Sequence, residues 1–376
     1  MGQAGTAVTG MARKLKSDRV LFLATIGLVC LSIVMVWSAS AVVAMERYQE
    51  PYRFLTKQLL WATLGLAVLW GAMGVDYHRY REPRFIWACV GVVAICLVAV
   101  LFSPPVNNAR RWFSIGSLGI QPSELAKLAA IFFIAWMLER RAHRINDVGY
   151  ALLPIALVVG LLVALILLEP DFGTSMSLVF IAGVMIFAAG LSYLYVAAAG
   201  GMLLPLALFI MLGADYRKRR LTAFMHPWDD PQGSGFQLIQ SLIAVGTGGV
   251  AGKGLMQGVQ KLFFLPEPHS DFIYAVISEE LGLIGATVVL ICFLVITWRG
   301  LRVASRAPDM FGAFVALGVT TMVSVQALVN ISVVLGLMPT KGIPLPFVSA
   351  GGSSLLINLL SMGVLLNISR HASSEA

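Results

Sequence analysis

The sequence predicts an all-α, polytopic integral membrane protein with about ten transmembrane helices and one long extracytoplasmic loop. Of its 376 residues, 58% are hydrophobic and only 12% are charged, whereas soluble domains carry about 25% charged residues. Apolar runs of about 20 residues, the length that crosses a bilayer as a helix, recur along the chain. Because lipid offers backbone groups no hydrogen-bond partner, these runs should be helical.

The apolar runs define the predicted domain organisation, which is a cytoplasmic tail (1–18), one membrane domain (19–368, with an outer loop at 213–272) and a second cytoplasmic tail (369–376). The fourth run is short, and the sixth and seventh are nearly continuous. The ten predicted spans are 20–45, 58–75, 85–102, 123–138, 151–168, 174–190, 193–212, 273–297, 310–335 and 352–368.

The basic residues predict the orientation. Arginine and lysine cluster before span one and after spans two, four and eight, which places these loops and both termini in the cytoplasm. This distribution accounts for most of the net charge of +8, so the charge does not indicate a nucleic-acid partner. Other basic residues fall outside, namely Arg110, Arg111, Lys341 and several in 213–272. These outer charges are either merely tolerated in a long loop or serve an anionic substrate.

The 213–272 loop is long enough to be functional. Its glycine-rich stretch lacks the spacing of a phosphate-binding P-loop and favours close packing, and residues 236–245 are apolar enough to enter the membrane interface. The loop ends at Asp271, with Glu267 and His269 beside it. Asp271 is either the N-cap of span eight or, at the mouth of an apolar cavity, a general base.

Other charged residues have a structural explanation as well as a functional one. Glu124 and Lys127 lie three apart on a predicted helix and can pair, and Glu279 and Glu280, inside span eight, are interpreted as structural. The segment 169–173 is a turn that could also orient a substrate. Lys341, in the last outer loop, could contact phosphate or anchor to lipid headgroups.

Three segments carry a resemblance to the SEDS family (shape, elongation, division and sporulation). They are 229–237, 265–282 and 339–354, and the resemblance covers nearly the whole chain. The family's acid lies in a pattern like Leu-Pro-Glu-x-His-Thr-Asp-Phe, which matches Asp271 with Ser270 in place of threonine. Its outer arginine before tryptophan matches Arg111, and its last outer lysine matches Lys341. Ala350 departs from the family's usual tyrosine.

The resemblance implies a glycosyltransferase that polymerises lipid II, an undecaprenyl-diphosphate-linked disaccharide peptide, outside the cytoplasmic membrane. It implies Asp271 as general base and Arg111 and Lys341 as substrate contacts, with Arg110, His269 and Glu267 as further candidates. A divalent cation such as Mg²⁺ could share the cationic role, although the sequence has no clear ligand set. The implied partners are a class B penicillin-binding protein and other divisome proteins, because the 339–342 segment is most like the division branch, which acts at the septum.

Alternatives remain open from the sequence. The elongation and sporulation branches of the same family are two. A flippase for lipid-linked precursors is a third, although it would need polar residues through the membrane interior. A scaffold for division proteins is a fourth, and it would not need Asp271.

Overall fold

The structure is a computed structural model that describes residues 17–105, 110–115, 118–213 and 215–372. Those residues form mainly α-helices, with one antiparallel hairpin of β1 (Phe113–Ile115) and β2 (Leu118–Ile120) before the fourth helix. The helices are α1 Arg19–Tyr48, α2 Arg53–Gly74, α3 Pro83–Val100, α4 Pro122–Arg141, α5 Leu153–Leu168, α6 Phe172–Ala188, α7 Tyr193–Leu212, α8 Asp215–Met225, α9 Phe236–Gly248, α10 Ile273–Ser305, α11 Met310–Val334 and α12 Gly352–Ala372.

The fold class predicted from the sequence is confirmed. A helix coincides with each of the ten predicted spans. Among the described residues, seven helices are long and apolar enough to cross a membrane by length and composition, namely α1, α2, α3, α5 with its preceding turn, α10, α11 and α12. The remaining three predicted spans correspond to α4, α6 and α7, so ten crossings stay a prediction.

The centre of the bundle is built by α4, α11 and α12. Nearly every residue of α4 from Pro122 to Leu138 is buried, and most of α11 and α12 is buried as well. Helices that are apolar all round belong in such a core. Large apolar side chains such as Leu23, Trp70 and Ile95 remain exposed on the outer helices, as expected where lipid is the solvent.

A break in α10 at Gly282 is paired with the loop that follows α9. Gly282 has φ 67° and ψ −164°, and a Cβ there would lie 2.3 Å from a backbone nitrogen of the loop, so only glycine fits. The N–H groups of 253–254 donate to the carbonyls of 279–280, and those of 283–284 donate to the carbonyls of 249–250. The backbone groups freed by the break are therefore satisfied within the protein.

The two acids of α10 interpreted as structural are both ion-paired. Glu279 lies 2.7 Å from Lys253 and Glu280 lies 2.6 Å from Lys261, and both carboxylates are fully buried. They also accept backbone N–H bonds from residues 256–260. Such contacts offset the cost of burying the charges and fasten the loop to α10.

The predicted C-terminal tail begins with four residues that are helical. Residues 369–372 continue α12, where Ser369 Oγ accepts the backbone N–H of Asp18 at 3.1 Å and Arg370 donates to the carbonyl of Met73. These contacts stabilise the last helical turn and bring the two ends of the described chain together. Residues 1–16 and 373–376 of the predicted tails lie outside the described residues.

The 213–272 segment is also more ordered than a loop. It contains α8 and α9, and α9 packs on α10 with Leu238, Ile239 and Ala244 buried. The predicted apolar segment 236–245 is thus a helix, because its apolar residues recur at helical spacing.

Candidate active site

Asp271 lies two residues before α10 but does not cap it. Phe272 occupies the N-cap position, and no side-chain cap bond is formed there. Across the part of the chain that the structure describes, the Asp271 carboxylate accepts no hydrogen bond. The capping interpretation is therefore wrong, and the carboxylate is available for chemistry.

The backbone around Asp271 is fixed by residues distant in sequence. Asn330 of α11 donates through Nδ2 to the carbonyl of Asp271 and to that of Ile343, both at 2.8 Å. The Ser349 hydroxyl donates to the carbonyl of Ser270 at 2.6 Å. One side chain thus ties the Asp271 segment to the last outer loop, and a second bond holds the two together.

The surroundings of Asp271 raise the pKa of its carboxyl group. Burial raises the pKa of Asp271 to about 6, the nearby negative charge of Glu267 also raises it, and the positive charge of Arg220 lowers it. A Cβ on Gly342 would lie 3.0 Å from Asp271 Oδ2, so the last outer loop directly abuts the carboxylate. A carboxylate with this pKa is ionised at neutral pH and is a stronger base than an exposed aspartate.

Lys341 precedes the glycine that abuts Asp271. Its Nζ lies 5.0 Å from the centroid of the Phe172 ring, a cation–π distance. Burial lowers the pKa of Lys341, and the negative charge of Asp171 raises it. Arg220 reaches the same loop, since its Nη1 lies 3.4 Å from the carbonyl of Thr340. The structure therefore brings Arg220 near Asp271, whereas the Lys341 ammonium lies beside Phe172 and is influenced by Asp171.

Arg111 holds the turn between α5 and α6. Its Nε donates to the carbonyl of Glu169 at 2.9 Å, and its Nη2 donates to that of Pro170 at 2.6 Å. Arg110 is exposed instead and donates to the carbonyl of Leu101. Of the two predicted outer arginines, only Arg111 is thus tied to the turn that precedes Asp171.

That turn carries a buried acid. The Glu169 side chain is fully buried, and neither carboxylate oxygen has a hydrogen-bond partner among the described residues. Burial raises the pKa of Glu169 to about 8, and the charge of Asp171 contributes. Asp171 caps α6 through the N–H of Thr174 and accepts a bond from Gln121. The segment is thus a capped turn, held in place by Arg111.

The ion pair predicted within α4 is present. Lys127 Nζ lies 2.9 Å from Glu124 Oε1, and both side chains are buried. They line a polar cavity of about 20 Å³ with Gln326 and Thr174, and this cavity reaches Gly342. A volume of this size holds about one water molecule.

His269 and Glu267 lie near Asp271 but make different contacts. The His269 ring packs on Phe54 with centroids 4.3 Å apart, and its Nε2 lies 3.6 Å from Glu267 Oε2. Burial lowers the pKa of His269. Ala350, where the family usually has tyrosine, donates its backbone N–H to the carbonyl of His269 at 2.9 Å. This contact needs no side chain, so the departure at 350 leaves it intact.

The described residues give Mg²⁺ no ligand set of the usual kind, because no three His, Cys, Asp or Glu side chains converge there. Sequence reasoning missed Arg220 and Asn330 as parts of the site. Arg220 lies in a run of four basic residues, 217–220, whose role the charge pattern left open. Asn330 gives no signal in the sequence, because it is one polar residue in an apolar helix.

The chain is similar to known proteins over nearly its whole length. The family model described as "Cell cycle protein", covering FtsW, RodA and SpoVE, matches residues 18–374. A probable peptidoglycan glycosyltransferase FtsW of Geobacter sulfurreducens is 41% identical over 94% of this chain and 95% of its own length. The stage V sporulation protein E of Bacillus subtilis is 42% identical over 96% of this chain and 99% of its own length.

Solved structures are similar as well. One, described as "Structural coordination of polymerization and crosslinking by a peptidoglycan synthase complex", has a TM-score of 0.78 and 30% identity, and covers 96% of this chain and 99% of its own. The rod shape determining protein RodA of Thermus thermophilus has a TM-score of 0.70 and 27% identity, and the match covers 95% of this chain and 97% of that one.

Proposed function

Since this chain belongs to the FtsW/RodA/SpoVE family, we propose that it is a peptidoglycan glycosyltransferase that polymerises lipid II. The observation that carries the proposal is the Asp271 carboxylate, which is largely buried, accepts no hydrogen bond from the described residues and lies near the positive charge of Arg220. A structural cap would be hydrogen-bonded, whereas a base must keep its lone pairs for a substrate.

In the proposed reaction, a hydroxyl oxygen of one lipid-linked sugar attacks the anomeric carbon of another. Asp271 accepts the hydroxyl proton while the new C–O bond forms. The bond between the anomeric carbon and the diphosphate oxygen breaks, and the lipid diphosphate leaves with the electron pair. A base positioned for such a proton transfer contributes about 10²–10⁴-fold in rate.

The leaving diphosphate gains negative charge, which nearby cations stabilise. Arg220 lies near Asp271 and contacts the loop that carries Lys341, and we propose both for this role. Two of the donor groups of Arg111 are hydrogen-bonded to the backbone of the turn at 169–170. It therefore positions that turn and contributes long-range positive charge.

We also propose that both termini are cytoplasmic, that residues 213–272 lie outside, and that the protein acts at the septum with a class B penicillin-binding protein. The distribution of arginine and lysine supports the orientation. Similarity to a chain of a peptidoglycan synthase complex supports a partner of that kind. The 41% identity to a probable FtsW supports the division branch, and the sporulation relative keeps that branch as an alternative.

A flippase would need a polar route wide enough for a disaccharide peptide. The polar cavity beside Glu124 and Lys127 has a volume of about 20 Å³, which fits about one water molecule. This cavity is therefore too small to be the route of a disaccharide peptide.

Polymerisation of lipid II by the purified full-length chain, with and without its transpeptidase partner, tests the proposal. Asp271→Asn keeps the size of the side chain but removes its basicity, so we expect a rate loss of about 10²–10⁴-fold with normal folding and partner binding. Glu50→Gln, at an exposed outer position, is the matched control and should polymerise normally. Polymer formed by Asp271→Asn at the wild-type rate would refute Asp271 as the base.

A further inference from the structure

The backbone carbonyls of residues 269–271 all accept hydrogen bonds from donors far away in the chain. In that order, the donors are the backbone N–H of Ala350 at 2.9 Å, the Ser349 hydroxyl at 2.6 Å and Asn330 Nδ2 at 2.8 Å. The Asp271 carboxylate itself accepts no hydrogen bond from the described residues. Hydrogen bonding therefore positions this carboxylate only through its main chain.

Asn330 differs from the other two donors because its one amide group bonds two separate parts of the site. It lies in α11, is 1% exposed, and donates to the carbonyls of Asp271 and Ile343, each at 2.8 Å. An amide nitrogen has two N–H donors, so both are used. The two acceptors also fix the orientation of the amide, since an oxygen in place of the nitrogen would face two carbonyl oxygens. One side chain thus holds both the base and the last outer loop.

The loop segment 342–344 borders both a cavity and the carboxylate. Together with the ion pair of α4 it lines the polar cavity of about 20 Å³. Packing is incomplete at a cavity, so hydrogen bonds contribute more to the position of the loop. A Cβ on Gly342 would lie 3.0 Å from Asp271 Oδ2. A small displacement of this loop would therefore change the surroundings of the carboxylate directly.

A purely structural explanation is that Asn330 only satisfies two carbonyls, since buried carbonyls outside helices and strands need donors. Asn367 of α12 serves in this way, because its Nδ2 donates to the carbonyl of Met73 and its Oδ1 accepts the N–H of Tyr77. Asn330 differs, because its Oδ1 is buried without a partner among the described residues. An unsatisfied buried oxygen costs stability, which a residue selected for stability alone would avoid.

We propose that Asn330 is a positioning residue that holds Asp271 and the Lys341 loop in one fixed arrangement, so that the attacking hydroxyl and the leaving diphosphate are aligned. The inference rests on the proposed function, because this alignment matters only to a reaction that uses both groups. A misplacement of about 1 Å can cost about 10²-fold in rate. Ser349 assists, since its hydroxyl also accepts the N–H of Leu345 in the same loop at 2.8 Å.

The first test is steady-state polymerisation of lipid II by the full chain with its partner in vesicles. Asn330→Leu nearly keeps the size of the side chain but removes both donors. We therefore expect kcat to fall about 10²-fold, with a nearly unchanged half-saturating lipid II concentration. Ser349→Ala should give a smaller loss in the same direction.

The matched control is Asn367→Leu, which also loses two backbone contacts, on the predicted cytoplasmic side. It should keep the wild-type kcat per folded molecule. A wild-type kcat in Asn330→Leu would overturn the proposal, and if that variant does not fold, a wild-type kcat in Ser349→Ala would do so. An equal loss of kcat in Asn367→Leu would overturn it as well.

The pH profile separates positioning from a loss of stability. Burial raises the pKa of Asp271, the charge of Glu267 adds to the rise, and that of Arg220 opposes it. Asn330→Leu keeps both charges but releases the loop, which reduces the burial of the carboxylate. The acid limb of kcat/KM should therefore move to lower pH, and Ser349→Ala should move it in the same direction. A wild-type limb in Asn330→Leu, or in Ser349→Ala if only that variant folds, would assign Asn330 to stability alone.

Hydrogen exchange gives a readout that does not depend on turnover. In the full chain, the backbone N–H groups of residues 343–350 should exchange faster in Asn330→Leu than in wild type, because the loop loses its bond to α11. Equal exchange together with an active wild-type chain would overturn this inference alone. Faster exchange together with a wild-type chain that forms no polymer would instead refute the proposed function.

Discussion

Lys261 and Glu280 form a buried ion pair in which Nζ lies 2.6 Å from Oε1 and neither side chain is more than 3% exposed. Ser38 of α1 completes the group, since its hydroxyl donates to the carboxylate at 2.7 Å and accepts from Lys261 at 3.0 Å. Residues 38, 261 and 280 therefore meet at one carboxylate in α10, the helix that follows Asp271.

Breaking this pair on one side should destabilise the protein. Lys261→Met leaves the Glu280 charge buried without its partner, which costs roughly 3–5 kcal/mol. We expect a clear fall in the thermal unfolding midpoint in detergent. Lys261→Met combined with Glu280→Gln should recover much of the loss, because no unpaired charge remains. Equal destabilisation in the single and double variants would show that packing, and not charge, holds the loop.

The pH dependence of polymerisation should report the surroundings of Asp271. Because protonation removes the base, kcat/KM should fall as the pH drops through about 6, the raised pKa of Asp271. Glu267→Gln removes a negative charge that raises this pKa, so the acid limb should move to lower pH. Arg220→Gln removes a positive charge that lowers it, so the limb should move to higher pH. A limb that stays in place in both variants would assign it to another group.

We expect Lys341 to stabilise the negative charge that develops on the leaving diphosphate. Lys341→Ala should lower the polymerisation rate by about 10²-fold, the effect of removing one group that stabilises developing charge. Folding should be unchanged, because Lys341 contributes no ion pair among the described residues. Lys57→Ala, half-buried in α2, serves as a control of equal charge change. Unchanged lipid II turnover in Lys341→Ala would indicate headgroup anchoring instead.

The proposed topology can be tested by cysteine labelling in intact cells. The four native cysteines form no disulfide, so we expect a cysteine-free background to fold. Ser234→Cys, exposed in the 213–272 segment, should react with an impermeant maleimide before lysis. Ser305→Cys, exposed at the end of α10 on the predicted cytoplasmic side, should react only after lysis. The opposite pattern would reverse the orientation.

The helices were predictable because their signal is local. A membrane span needs about 20 apolar residues in one stretch, and every predicted span coincides with a helix to within several residues at each end. The pairing of Glu124 with Lys127 was predictable for the same reason, since residues three apart on a helix are neighbours. Asp271 was singled out by its position and by the resemblance of its motif.

Other features depended on contacts that no local pattern encodes. The sequence left Asp271 as either a cap or a base, and only the fold places Phe272 at the cap position. The C-terminal end was predicted as a tail, yet Asp18 and Met73 hold residues 369–370 in α12. In both cases the outcome is set by residues far away in the chain.

By itself the sequence determined the all-α membrane fold and the order of its helices, because composition and helical spacing act within short segments. The tertiary structure decided which charges are neutralised and which remain available. Lys253 and Lys261 form ion pairs with the acids of α10, whereas Arg220 lies near Asp271 and Lys341 lies beside Phe172. All four are basic residues of outer segments in the sequence, and only burial and distance, which arise when the helices pack, separate their roles.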